Sequence, residues 1–193
     1  MKMRAFDLAL STLFATLTAI GALISIPIYP VPITLQTFFI YIAGALLGGK
    51  RAALSQLIYL GMRVSGLSAP LGGIHGPQAM IGPTGGYLIG FIFGAFVMGK
   101  VLEKGIDHRK ALIGFTIGTL IIYLFGIIHL AIFIKLTLNM TIYDSIIVAI
   151  VKGLLPFILG DSLKVLLATY LVTRNRVLEL RKRLILLERS AHS

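Results

Sequence analysis

Two ionisable residues stand three apart inside an apolar run, Asp161 and Lys164 in GDSLKVLL. On a helix that spacing sets the carboxylate and the ammonium on one face. At membrane depth each costs at least a few kcal/mol unless it is paired or wetted. Two readings follow. The pair is a structural clamp that fixes helix packing, or it is a polar anchor for a small ligand. Pro156 and Gly160 lie nearby and would leave room along the backbone for the second.

A second candidate is GPTGGYLIGF, residues 82–91. Pro83 suits the first turn of a helix, where its missing N–H costs nothing. Gly82, Gly85 and Gly86 leave amides uncovered by side chains, and Thr84 and Tyr87 add hydroxyls. Such a helix start offers N–H donors and positive dipole to an anion or carbonyl. Membrane carriers use helix ends near the midplane in this way. A plain loop-to-helix junction is the alternative. In ALSQLIYL, Ser55 and Tyr59 share a face and Gln56 is adjacent; Arg63 follows one turn on, and Gln36 sits on an earlier apolar run. Arg63 reads as a snorkelling interface residue or as an attractor of an anionic solute.

Catalytic signatures are absent from the sequence. His75, His108, His129 and His192 are scattered, and no Cys is present. No G-x-S-x-G, H-E-x-x-H or Walker A pattern occurs, so an enzyme reading lacks a nucleophile–base pair. The expectation is a non-enzyme that binds no cofactor itself. If ATP drives it, the nucleotide is used by other chains.

Positioning these residues falls to apolar helices. Of 193 residues, 57% are hydrophobic and 13% charged, about half the charge of a soluble domain. Six spans are predicted, over 5–26, 34–47, 52–67, 83–102, 111–134 and 154–173. The first is too long for a signal-peptide core and reads as a retained span. The second and third are short, which predicts tilt or local thinning. The net charge is +11, yet the basic residues fall between and after spans rather than along one polar face, which argues against nucleic acid. With both termini cytoplasmic, 14 of the 18 Lys and Arg lie inside, leaving Arg63, Lys135, Lys152 and Lys164. That bias predicts an all-α, multi-pass protein of the cell membrane. It divides into a transmembrane domain over 1–173 and a cytoplasmic tail over 174–193. The tail is basic and amphipathic, and reads as lying on the anionic inner leaflet or against a cytoplasmic partner.

Two outer loops are uncharged. SIPIYPVPI (25–33) and GLSAPLGGIHGPQAMIG (66–82) read as lids over an outward-facing cavity, since such backbone enters the membrane only where protein or water covers it. Small residues recur every four positions: Ser11, Ala15 and Ala19; Gly44 and Gly48; Gly86, Gly90 and Gly94; Gly114 and Gly118. Such stripes let helices approach closely. The first stripe could instead face a partner subunit.

IPIYPVPITLQTFF (26–39), AGALLGGKRAALSQLIYL (43–60), GPTGGYLIGF (82–91) and PFILGDSLK (156–164) together resemble the BioY family. These are the biotin-specific capture subunits of energy-coupling-factor (ECF) transporters. The resemblance covers most of residues 10–170. It implies six membrane helices, high-affinity biotin binding, a transmembrane coupling subunit and two cytoplasmic ATPases. It implies that Ala15 and Ala19 contact the coupling subunit, and that the GPTGGY segment and the GD-x-x-K pair line the pocket. The GMRVSGLSAPLGG stretch departs from it, where a more apolar run is expected. The expected ligand-binding set is Asp161, Lys164, Thr84, Gly85, Gly86, Tyr87, Gln56, Tyr59 and, in the 66–82 loop, Gly73. In this expectation Asp161 accepts from the ureido N–H groups, and Lys164 neutralises it or donates to a ligand oxygen. The Thr84–Tyr87 amides meet the other polar end, and Tyr59 or Tyr87 packs on the rings. A stand-alone gradient-coupled carrier of biotin or a similar solute, with Asp161 titrating, is the alternative.

Overall fold

A computed structural model describes residues 5–69 and 74–190. Its element order among those residues is α1 (Ala5–Leu23), β1 (Ser25–Ile26), β2 (Ile33–Thr34), α2 (Gln36–Leu47), α3 (Gly49–Val64), α4 (Gln78–Ile81), α5 (Gly85–Glu103), α6 (His108–Leu138), α7 (Ile142–Gly153), α8 (Leu155–Val172) and α9 (Asn175–Ser190). The protein is an all-α membrane protein. Among the described residues four stretches are long and apolar enough to cross a bilayer: α1, α5, α6, and α7 with α8 taken together. Their outward rows are aliphatic, as with Leu120, Leu124, Leu159 and Leu163. Without water to drive them together, such helices associate by close packing and polar contacts.

Each of the six predicted spans falls on a helix, α1, α2, α3, α5, α6 and α8 in turn. The 12 residues of α2 rise only about 18 Å, short of the roughly 30 Å of a hydrocarbon core. It passes directly into α3 through Gly48, whose φ of 76° only glycine adopts without strain. Glu103 at the end of α5 accepts from the Gly49 amide at 3.0 Å and so caps α3. Sequence reading missed α7. Its start was nevertheless legible in T-I-Y-D: the Asp144 amide donates to Thr141 Oγ1, the bond of a threonine N-cap, and the Thr141 hydroxyl donates to the Asp144 carboxylate.

The centre of the bundle is α5 against α6. A Cβ on Gly90 would meet the Ile122 backbone at 2.9 Å, and one on Gly86 would collide with His129 and the Phe125 carbonyl. The backbones therefore touch where glycine allows it. Between α1 and α3 the contact is polar as well as small. Ser11 Oγ donates to the Arg51 carbonyl at 3.2 Å, and Gln56 Nε2 donates to Thr18 Oγ1 at 3.2 Å.

That packing corrects one expectation. Ala15 and Ala19 do not face outward; both are fully buried within the chain. Their small side chains let α1 settle against its own neighbours, so they offer no surface to a partner in this arrangement.

One end of the bundle collects the basic residues. Arg51 pairs with Asp7 at 3.4 Å, Lys100 with Glu103 at 2.8 Å and Lys110 with Asp107 at 3.1 Å. The tail helix α9 lies across this end, held by Arg181, which donates to the Leu102 carbonyl at 2.7 Å.

Overpacking at the central contact is the direct test of this architecture. Gly90→Val is expected to cost about 1–3 kcal/mol, seen as a lower unfolding temperature in detergent. Gly61→Ala, with nothing within 4 Å of its new methyl, is expected to be neutral or to stabilise α3 by up to about 1 kcal/mol.

Candidate functional site

Asp161 and Lys164 meet on the inner face of α8, 2.7 Å apart. Asp161 lies six residues into the helix, about 9 Å from its start, and only 3% of its surface is exposed. Three donors hold its carboxylate. Oδ1 accepts from Thr37 Oγ1 at 2.8 Å and from Lys164 Nζ at 2.7 Å, and Oδ2 accepts from the Tyr123 hydroxyl at 2.7 Å. A carboxylate has about four acceptor positions, so one stays open.

Lys164 has no such reserve. Its three N–H groups reach Asp161 Oδ1, the Thr34 carbonyl at 2.7 Å and Thr37 Oγ1 at 3.2 Å. Thr37 thus accepts from the ammonium and donates to the carboxylate. The expectation that Lys164 donates to a ligand is corrected on this ground: in this arrangement all its protons are occupied, and its role is to neutralise Asp161 and to hold α8 against Thr34.

A cleft opens beside the pair. It holds about 490 Å³ of empty space including its mouth, of which about 60 Å³ can take the centre of a water molecule. Its polar wall is Thr34, Gln36, Thr37, Thr84, Asp161 and Lys164, and its aromatic wall is Tyr87, Phe91, Tyr123 and Phe157. Val31 and Pro32 close one side. They belong to the 25–33 segment, which folds back as a two-stranded hairpin with Ser25 opposite Thr34 and Ile26 opposite Ile33. Its position over the cleft agrees with a lid. The 66–82 loop is different: among its described residues none lines the cleft. Gly73 lies outside the described residues.

The GPTGGY segment reaches the cleft by two residues. Thr84 stands at the N-cap position of α5 but its side chain does not cap the helix; its Oγ1 is buried without a hydrogen-bond partner. Tyr87 presents its ring while its hydroxyl donates to the Gly153 carbonyl at 2.7 Å, tying α5 to the α7–α8 junction. Pro83 precedes the cap rather than opening the helix. The expectation of free amides is corrected at two positions. The Gly85 amide donates to the Gly82 carbonyl, and the Tyr87 amide to that of Thr84. Gly85 and Gly86 do not line the cleft; their missing side chains make way for Met80, His129 and Phe125.

Gln56 and Tyr59 are also misplaced by the sequence reading. Both are sealed inside the bundle, away from the cleft. Gln56 serves the α1–α3 contact. Tyr59 accepts from Gln36 Nε2 at 2.6 Å, which leaves Gln36 Oε1 to accept from Thr34 Oγ1 at 2.8 Å. Tyr59 thus supports a cleft residue from behind. Thr37 and Tyr123 were missed. Thr37 follows Gln36 directly, and Tyr123 follows Thr116 and Thr119 in a stretch whose hydroxyls read as helix-packing residues, so both signals were faint.

A buried pair of this kind is costly to break and cheaper to remove whole. Lys164→Met strands the carboxylate and is expected to cost about 3 kcal/mol or more. The double variant Asp161→Asn/Lys164→Met is expected to unfold at a higher temperature than Lys164→Met alone. Additive losses in that cycle would sink the coupling.

The chain's likeness to known proteins bears on what the cleft holds. The BioY family matches residues 1–181. The biotin transporter BioY of Thermotoga maritima is 37% identical over 170 residues, covering 88% of this chain and 95% of that protein. The biotin transporter BioY of Rhizobium etli is 36% identical over 180 residues, with 86% and 90% covered. A crystal structure of the S-component for biotin from an ECF-type ABC transporter aligns with a TM-score of 0.70 at 30% identity, covering 91% of this chain and 95% of that one.

Proposed function

The chain belongs to the BioY family, and we propose that it takes up biotin as the substrate-capturing subunit of an ECF-type importer. Its relatives are named as transporters and not as enzymes. The observation that carries the reading is the cleft's chemistry. A buried carboxylate with one acceptor position unused and a threonine whose buried hydroxyl has no partner both line a slot that is polar on one wall and aromatic on the other.

Biotin asks for such a slot. Its ureido group is flat and carries two N–H donors, its thioether ring is apolar, and its chain ends in a carboxylate. Few polar groups at the ends of an apolar pocket suffice to orient a ligand of this kind. Asp161 accepts from a ureido N–H, a charge-assisted bond. Thr84 donates to an oxygen of the ligand. Phe91, Phe157 and the rings of Tyr87 and Tyr123 pack on its apolar body. Lys164 neutralises and orients Asp161 without touching the ligand.

In this proposal the basic end of the bundle is cytoplasmic, since Lys and Arg are retained on that side. The cleft then faces outward under the 25–34 hairpin. The chain binds no ATP; a transmembrane coupling subunit and two cytoplasmic ATPases supply the drive. The small residues available for that coupling contact are the outward ones of α1, such as Ala9, Thr12 and Thr16, rather than Ala15 and Ala19.

Calorimetric titration of the detergent-purified chain tests the binding. Biotin is expected to bind, and thiamine and riboflavin are not. Thr84→Val is expected to weaken biotin by roughly 5- to 10-fold and Asp161→Asn by roughly 10- to 100-fold. Gln56→Leu is expected to leave affinity unchanged. Wild-type affinity in both Thr84→Val and Asp161→Asn would remove the cleft from consideration. Biotin uptake by the chain alone in liposomes, abolished by collapsing the ion gradient, would overturn the ECF assignment and leave the binding site standing.

A further inference from the structure

A second site stands at the opposite end of the molecule. The lipid-facing row of α8 runs through Leu159, Leu163 and Leu166 to Tyr170, all well exposed. After Tyr170 the chain turns polar at Thr173 and Arg174 and enters α9. Aromatic residues at such a change mark the level of the lipid headgroups. Here His108, Tyr170, Thr173, Arg174, Asn175 and Arg176 surround an open cavity with about 450 Å³ of room for water centres. The Arg174 guanidinium lies 5.0 Å from the centre of the Tyr170 ring, and Thr173 Oγ1 lies 3.4 Å from His108 Nδ1.

The neighbouring acids do not neutralise this cavity. Asp107 pairs with Lys110, and Glu179 with Lys182 at 2.8 Å. The Lys110 amide and ammonium hold the Asp107 carboxyl below the usual range, so it stays ionised and engaged there. Among the described residues no ion pair engages Arg174 or Arg176. Two guanidiniums, an imidazole and an amide thus converge on one space at headgroup depth, a donor set suited to phosphate oxygens.

The helix that follows has matching chemistry. Arg181 is turned inward to the α5 carbonyls, which lays α9 along the end of the bundle rather than out into solvent. On its outer side Leu180 and Leu187 are about half exposed and form one stripe seven residues apart. Arg176 and Arg183 form the adjacent stripe. An apolar stripe beside a basic one is the pattern of a helix lying in a membrane interface.

We propose that the α8–α9 junction binds the phosphate of an anionic phospholipid, with α9 lying in the headgroup layer beside it. The lipid is bound through its phosphate to Arg174 and Arg176, with His108 and Asn175 completing the contact. Its acyl chains run down the Leu159–Tyr170 row of α8. This site is remote from the biotin cleft and does not depend on it.

Native mass spectrometry of the full chain, titrated with dioleoyl phosphatidylglycerol or dioleoyl phosphatidylcholine, tests the assignment. The wild type is expected to retain the anionic lipid preferentially. Arg174→Gln and Arg176→Gln are each expected to weaken phosphatidylglycerol by roughly 5-fold, and the double variant by roughly 30-fold. The single variants carry the test if the double one does not fold. Lys152→Gln makes the same charge change on α7 and is expected to have no effect. Retention of the lipid preference by the Arg variants would overturn the proposal. So would an equal loss in Lys152→Gln, which would indicate net charge alone. Displacement of the lipid by equimolar inorganic phosphate would reassign the site to a soluble anion and overturn it as well.

Discussion

A carboxylate and an ammonium cannot stay in hydrocarbon unless nearly all their hydrogen-bonding capacity is met. In this protein that demand organises three helices and a hairpin. Asp161 and Lys164 come from α8, Thr37 from α2, Tyr123 from α6, and the Thr34 carbonyl from the end of the hairpin. The elements meet there because each supplies a partner that the pair requires. The ammonium is fully occupied and the carboxylate is not. That asymmetry separates a residue that holds the structure from one that remains open to a ligand.

The same economy governs the backbone. Close approach of α5 to α6 uses glycine where a side chain would collide with Phe125, Ile122 or His129. This contact fixes the start of α5 and therefore Thr84. It explains why a segment rich in glycine borders the cleft while only Thr84 and Tyr87 of its six residues reach it. The glycines set the distance between helices; the threonine and the tyrosine ring that they position are the parts that line the cleft.

Sequence read well where chemistry is expensive. A charge pair in an apolar run and a threonine before a helix start are conspicuous against oil, and Asp161, Lys164, Thr84 and Tyr87 all border the cleft. It read poorly where polarity has a cheaper explanation. Gln56, Tyr59, Ala15 and Ala19 are as polar or as small as site residues, but they serve packing within α1, α2 and α3. Periodicity identifies a face and does not say which neighbour that face meets. Thr37 and Tyr123 show the converse. Each is ordinary along the chain, and each gains meaning only from a carboxylate more than thirty positions away. The biotin family was legible because several short motifs occurred together in order, and the match over residues 1–181 extends past the stretch that carried the resemblance.

Access to the cleft follows from the same pair. Little of its empty space admits even a water centre, so a vitamin-sized ligand requires the walls to part. Of its walls, α5 and α6 pack at backbone distance, whereas the 25–34 hairpin is held to the charge pair only through the Thr34 carbonyl. Lifting it removes Thr34 from Lys164, yet Lys164 keeps Asp161 and Thr37, while Asp161 keeps Thr37 and Tyr123. Of the pair's own hydrogen bonds such a lift would break one, that of Lys164 to the Thr34 carbonyl, together with the Thr34–Gln36 contact beside it. A lid bonded to the ammonium rather than to the carboxylate leaves the carboxylate's open position to the ligand in both states.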